Sequence, residues 1–182
     1  MSRDPKHYFR QSTRLKNYDY SKIGAYFITI TIDGKAEVFG NIVEGRVRLN
    51  KAGEIIKQVW MNLPKQFTNV KLDEFVVMPD HFHGIILLEK KIEGLMNQAR
   101  TAENKSNINT DDKWILMKNE NNTLGKIIRA FKAKATKLIR EDGFKDFKWH
   151  RNYYDHVVRN KKDLLIIRKY IKYNPSKWKI EK

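Results

Sequence analysis

A chain of 182 residues, 41% hydrophobic and 12% aromatic, can bury a core of its own and reads as one domain, 1–182. Without cysteine it has no disulfide or thiolate metal site, and without a long apolar run or an apolar leader it has neither a membrane span nor a secretory signal, so the cytoplasm is the expected compartment. The net charge of +16 is lopsided: residues 123–182 carry 18 basic and 6 acidic side chains, against 13 and 10 in residues 1–89, the footprint of a polyanionic partner. Nucleic acid leads, ahead of an anionic membrane surface.

Residues 1–24 are polar and basic with scattered tyrosines and read as an irregular basic arm. Residues 25–32, Ala-Tyr-Phe-Ile-Thr-Ile-Thr-Ile, are β-branched and aromatic up to an Asp-Gly turn signal, the pattern of a core strand. Residues 38–50 alternate apolar and charged around Glu44-Gly45, which predicts a hairpin. Asn50 then caps a helix over 51–62, with Ile55, Ile56 and Val59 as its apolar stripe and Leu63-Pro64 as its stop. Residues 70–78 form a strand, Pro79-Asp80 a turn, and 81–88 the returning strand. Positions 85–88 are apolar on both faces, as in a central strand.

His81 and His83 flank Phe82 on that returning strand. Side chains alternate along a strand, so the two imidazoles share one face, about 7 Å apart along the chain, and can close on a single metal ion. A pair of buried core histidines is the simpler alternative. Residues 90–122 are rich in Asn, Lys, Glu and Thr and nearly neutral, which predicts a mobile loop.

Thr123 caps an amphipathic helix to residue 140, with Leu124, Ile127, Ile128, Phe131, Ala135 and Leu138 on one face. Lys126, Arg129, Lys137 and Arg140 gather opposite, flanked by Lys132 and Lys134, and no acid interrupts them. That face is a candidate for phosphate contact. Residues 147–156, Phe-Lys-Trp-His-Arg-Asn-Tyr-Tyr-Asp-His, interleave rings and cations, including Arg151, with Arg159 close behind. Such a segment suits single-stranded nucleic acid, and serves equally as an aromatic clamp on the core. The last helix, 162–173, stops before Pro175 and buries Leu164, Ile167 and Ile171. Tyr170 and Asn174, four residues apart, share one edge of it.

Two imidazoles and one amide oxygen, from His81, His83 and Asn174, can hold a divalent metal with positions open for a phosphate oxygen. Tyr170 beside a metal-bound phosphodiester needs position more than basicity to act as nucleophile, and its attack leaves a phosphotyrosine. The same residues carry a family resemblance. Met-Pro-Asp-His-Phe-His-Gly-Ile-Ile at 78–86 resembles the HUH motif of the single-tyrosine DNA transposases, close to the REP-associated tyrosine transposases. Tyr-Ile-Lys-Tyr-Asn-Pro at 170–175 resembles their tyrosine helix. The likeness extends over residues 24–30, 149–156 and 174–178, and so over most of 14–178 outside the 90–122 loop.

The resemblance implies a ferredoxin-like α+β domain, an antiparallel sheet with helices packed on one side and the histidines on a central strand. It implies Mg²⁺ or Mn²⁺, a 5′-phosphotyrosine intermediate and single-stranded, often hairpin-forming DNA, with His81, His83 and Asn174 as ligands and Tyr170 as nucleophile. The chain departs from the family pattern at Asp80, where relatives often have Asn, at His150, where they often have Gln, and in the length of the 90–122 loop. A domesticated nucleic-acid-binding domain would have lost a site residue, and none is missing. Replication initiators and relaxases use the same chemistry, but usually with further domains. Monomer and homodimer both stay open.

Overall fold

The computed structural model describes residue 15 and residues 17–35, 37–90 and 122–178. The 90–122 loop, apart from its two end residues, and residues 1–14 of the basic arm lie outside the described residues. Strand β1 (Gly24–Thr31) is followed by the hairpin β2 (Gly40–Val43) and β3 (Arg46–Leu49), then α1 (Lys51–Met61) and the single turn α2 (Leu63–Gln66). Next come β4 (Val70–Val77), β5 (His81–Leu88), α3 (Leu124–Glu141), β6 (Tyr154–Val158) and α4 (Lys161–Lys177).

Local chemistry sets these boundaries. Glu44 and Gly45 both adopt positive φ, 51° and 71°, the pairing a two-residue hairpin turn demands. The Asn50 side chain accepts from the Gly53 amide at 3.0 Å, and the Thr123 hydroxyl accepts from the Lys126 amide at 3.3 Å, so both expected caps form. The last helix departs from expectation. It does not stop before Pro175 but runs through it to Lys177. Proline removes one amide donor, and the turn around it is held by Ser176 Oγ donating to the Tyr173 carbonyl at 2.8 Å. The extension carries Asn174 inside the helix and sets Trp178 at its end.

Four strands pair in the order β4-β5-β1-β6, antiparallel throughout, with α1 and α3 as the helical layer on one side. This is the expected ferredoxin-like α+β arrangement, and β5 is a central strand. Tyr26, Ile28 and Ile30 of β1 and Phe82 and Ile86 of β5 meet Ile56 and Trp60 of α1 and Phe131 of α3 in the main core. Aromatic rings dominate it: Trp60 lies 4.6 Å from Phe82 and 5.4 Å from Phe131, centroid to centroid.

The alternate residues of the same strands face the other way. Phe27 and Ile85 pack there under Ile167 and Ile171, so α4 crosses the opposite face of the sheet. Two bonds fix its course. Asp163, near its start, receives His156 of β6 at 2.9 Å. Farther along, Arg168 forks onto Asp73 of β4, with Nε donating at 2.9 Å and Nη2 at 2.5 Å. Asp73 lies where the β4–β5 register slips, between Leu72 and Phe75. The irregularity takes Asp73 out of the ladder, where it meets the helix.

Candidate active site

Alternation along β5 places Phe82 in the main core and turns His81 and His83 to the face that α4 crosses. Gly84 makes this packing feasible: a Cβ there would sit 2.6 Å from Trp60 Cζ2 and 2.9 Å from Phe82 Cε1, too close for any side chain. The strand can therefore lie flush on the Trp60 indole only with glycine beside the second histidine.

The two imidazoles approach through their Nε2 atoms, 3.0 Å apart, with rings at 74°. Each Nδ1 has a partner of its own. His81 Nδ1 meets Asp80 Oδ1 at 2.5 Å, and His83 Nδ1 meets Thr29 Oγ1 at 2.8 Å. A carboxylate can only accept, so His81 carries its proton on Nδ1; Thr29 can accept in the same way from His83. With both protons on Nδ1, the two Nε2 lone pairs would face one another, the arrangement in which two histidines share a metal ion. Burial, with His81 close by, pushes the His83 pKa down to about 3, so its ring is neutral at physiological pH.

The donor set fits a divalent ion. Two ligands at right angles, each about 2.1 Å from one ion, are about 3.0 Å apart, the spacing the Nε2 atoms show. Among the described residues no group of three histidine, cysteine, aspartate or glutamate side chains converges to hold a metal. Asn174 is buried on the helix covering this face, and among the described residues no hydrogen bond engages its amide.

The Tyr170 hydroxyl lies 3.4 Å from His83 Nε2. Tyr170 is 45% exposed, open to solvent. Phe27 holds the pair together, stacked on His83 at 5.4 Å and edge-on to Tyr170 at 6.0 Å. Trp178 stands 5.5 Å from the His81 ring on the other flank. Thr29, Phe27 and Trp178 were not singled out from the sequence as site residues. Strand periodicity puts Phe27 and Thr29 on one face of β1, but which histidine they meet depends on cross-strand register.

The basic residues of α3 are elsewhere. Its apolar stripe packs into the main core, so exposed Lys126, Arg129, Lys134 and Lys137 face away from the sheet, on the side opposite the histidines. Lys132 is no free cation: its Nζ donates to the His150 carbonyl at 2.7 Å and the Arg151 carbonyl at 3.2 Å, and burial lowers its pKa. The aromatic segment divides. Phe147, Trp149 and Tyr153 pack against the main core, whereas Tyr154 is 50% exposed. Arg151 and Arg159, exposed before and after β6, keep free access to solvent.

No family model matches the sequence. The chain is 39% identical over 172 residues to an uncharacterized protein of Haemophilus influenzae, covering 93% of this chain and 89% of that one. It shares its fold with a REP-associated tyrosine transposase solved bound to a REP hairpin, with a TM-score of 0.57 and 17% identity, over 90% of this chain and 73% of that one. The chain belongs to one family with the Haemophilus influenzae protein.

Proposed function

We propose that this chain is a metal-dependent transposase of single-stranded DNA, cutting and rejoining strands through a 5′-phosphotyrosine on Tyr170. One observation carries the reading: the Tyr170 hydroxyl stands 3.4 Å from the Nε2 atom of His83, itself 3.0 Å from that of His81. A nucleophile and a metal-binding pair so placed can act on one phosphate. The transposase fold and the REP hairpin held by the structural neighbour support a hairpin-forming DNA strand as substrate. Such work belongs in the cytoplasm.

His81, His83 and Asn174 would hold Mg²⁺ or Mn²⁺, and the two nitrogen donors favour Mn²⁺. Bound there, the ion supplies Lewis-acid polarisation of a phosphate oxygen. Asp80 and Thr29 keep both rings oriented, and Phe27 fixes the separation of His83 from Tyr170. The Tyr170 oxygen forms a bond to phosphorus as the bond from phosphorus to the 3′ oxygen breaks. The phenol gives up a proton and the departing 3′ oxygen gains one. One phosphoester replaces another, so the link retains what rejoining requires.

The test is incubation with end-labelled single-stranded DNA from the flanks of the gene, with Mn²⁺, followed by a denaturing gel. Wild-type protein should form an adduct that EDTA abolishes. His81→Ala and His83→Ala should bind the strand and form none. Normal cutting by either variant, or indifference to EDTA, would overturn the metal assignment.

A further inference from the structure

We propose that Tyr154 is a stacking platform for an unpaired base beside the attacked phosphate, an inference that rests on the strand-cutting function above. Thr29 pairs with His83 on one side and with Tyr154 on the other. The three side chains therefore form one row across the sheet, on the face that bears the histidines. Tyr154 stands two strand spacings, about 10 Å, from His83, within reach of nucleotides flanking the reacting one. Its same-face neighbours His156 and Val158 are part-buried, the first bonded to Asp163 near the start of α4 and the second packed on the Phe27–Ile171 cluster. Tyr154 itself is half exposed, and among the described residues no ring packs on it and no hydrogen bond engages its hydroxyl.

The backbone that presents the ring is held. On the reverse side of β6, Asp155 is buried and Tyr153 packs on the main core. The segment leading into the strand is tied down by Lys132 at the His150 and Arg151 carbonyls, and by the His150 amide on the Thr31 carbonyl at 2.9 Å. A half-exposed ring on a held backbone has only its own two torsions to order on binding. Exposed Arg151, three residues earlier, adds a cation for the backbone. A ring of this kind takes an unpaired base, because in a duplex the faces of each base are covered by its neighbours.

The test uses single strands from the gene's flanks with one 2-aminopurine stepped through the sequence, bound by protein in the Tyr170→Phe background so that nothing is trapped covalently. Quenching on binding should peak next to the cleaved bond, survive Tyr154→Phe and vanish with Tyr154→Leu. Tyr154→Leu should also weaken binding by roughly 5- to 150-fold, the range for one lost stacking contact, while Mn²⁺ affinity is unchanged. Unaltered quenching and affinity in Tyr154→Leu would overturn the platform. Adduct formation by protein with native Tyr170 is read in parallel: its absence would defeat the strand-cutting function and leave the stacking result to stand on its own.

Discussion

At the scale of single residues, the histidine pair is oriented by neighbours outside it. Thr29 Oγ1 stands 2.8 Å from His83 Nδ1, and by accepting a proton there it would leave Nε2 as the lone pair facing His81. Thr29→Val keeps the shape and removes that acceptor. Loss of such a partner typically costs 10- to 100-fold in metal affinity, which calorimetric titration with Mn²⁺ should show while the thermal midpoint shifts by only a few degrees. Unchanged affinity would mean that the hydroxyl does not set the ring. His81 and His83 could be placed on one strand face, and Tyr170 and Asn174 on one helix edge, from period and spacing; the structure brings the first three into contact. Thr29 was not legible, because its pairing with His83 is a property of register between distant strands. Lys132 was misleading for a related reason: helical periodicity put it beside a cationic face, but its partners are carbonyls 18 and 19 residues on.

At the scale of elements, α4 unites the chemistry. It brings Tyr170 to His83, buries Asn174 and ends at Trp178 beside His81. Its start follows from sequence to within a residue; its passage through Pro175 does not, because propensity at one residue yields to packing of the whole turn. The fork from Arg168 to Asp73 fixes the helix over the site, and the Asp73 side chain is only 9% exposed. Arg168→Ala should destabilise the fold by about 1–3 kcal/mol, the cost of leaving such an acceptor unpaired, and should slow adduct formation more than it weakens DNA binding. The bond to Arg168 holds the Asp73 pKa below its ordinary value. The contribution is therefore present above the usual carboxylate range and lost as pH falls through it toward the lowered value. Urea midpoints of wild type and Arg168→Ala should differ at pH 7 and converge in acid. A difference independent of pH would show that the ion pair is not its source.

At the scale of the whole molecule, the sheet separates two surfaces. The strands up to residue 88, the hairpin and the amphipathic 123–140 helix could be read from alternation, turn signals and helical period; their assembly into one antiparallel sheet was implied by the family resemblance, and β6 was not foreseen as a strand. Which face of the sheet each helix covers could not be read, since periodicity gives a helix a buried side but not a partner. The separation has a consequence for DNA. The α3 cations face away from the histidines, so a short strand at Tyr170 cannot meet them, whereas a longer hairpin strand can wrap far enough. Changing Lys126, Arg129 and Lys137 together to Gln should leave the salt dependence for a short oligonucleotide unaltered. For a long strand the log–log slope should fall by about 0.7 per lost contact. Equal losses on both lengths would place the cations at the reacting end instead.

The nucleophile is where the account is most exposed. Tyr153 packs on the main core and Tyr154 lies two strands from His83, while Tyr173, 53% exposed on the same helix as Tyr170, has Lys172 over its ring. Only Tyr170 sets its hydroxyl against the histidine pair among these four. Trapping the adduct with labelled single-stranded DNA, digesting the protein and mapping the modified peptide decides the matter. The account predicts DNA on Tyr170 alone, with no adduct from a Tyr170→Phe protein that still folds and binds the strand. DNA attached to any other tyrosine, or an undiminished adduct from Tyr170→Phe, would contradict it.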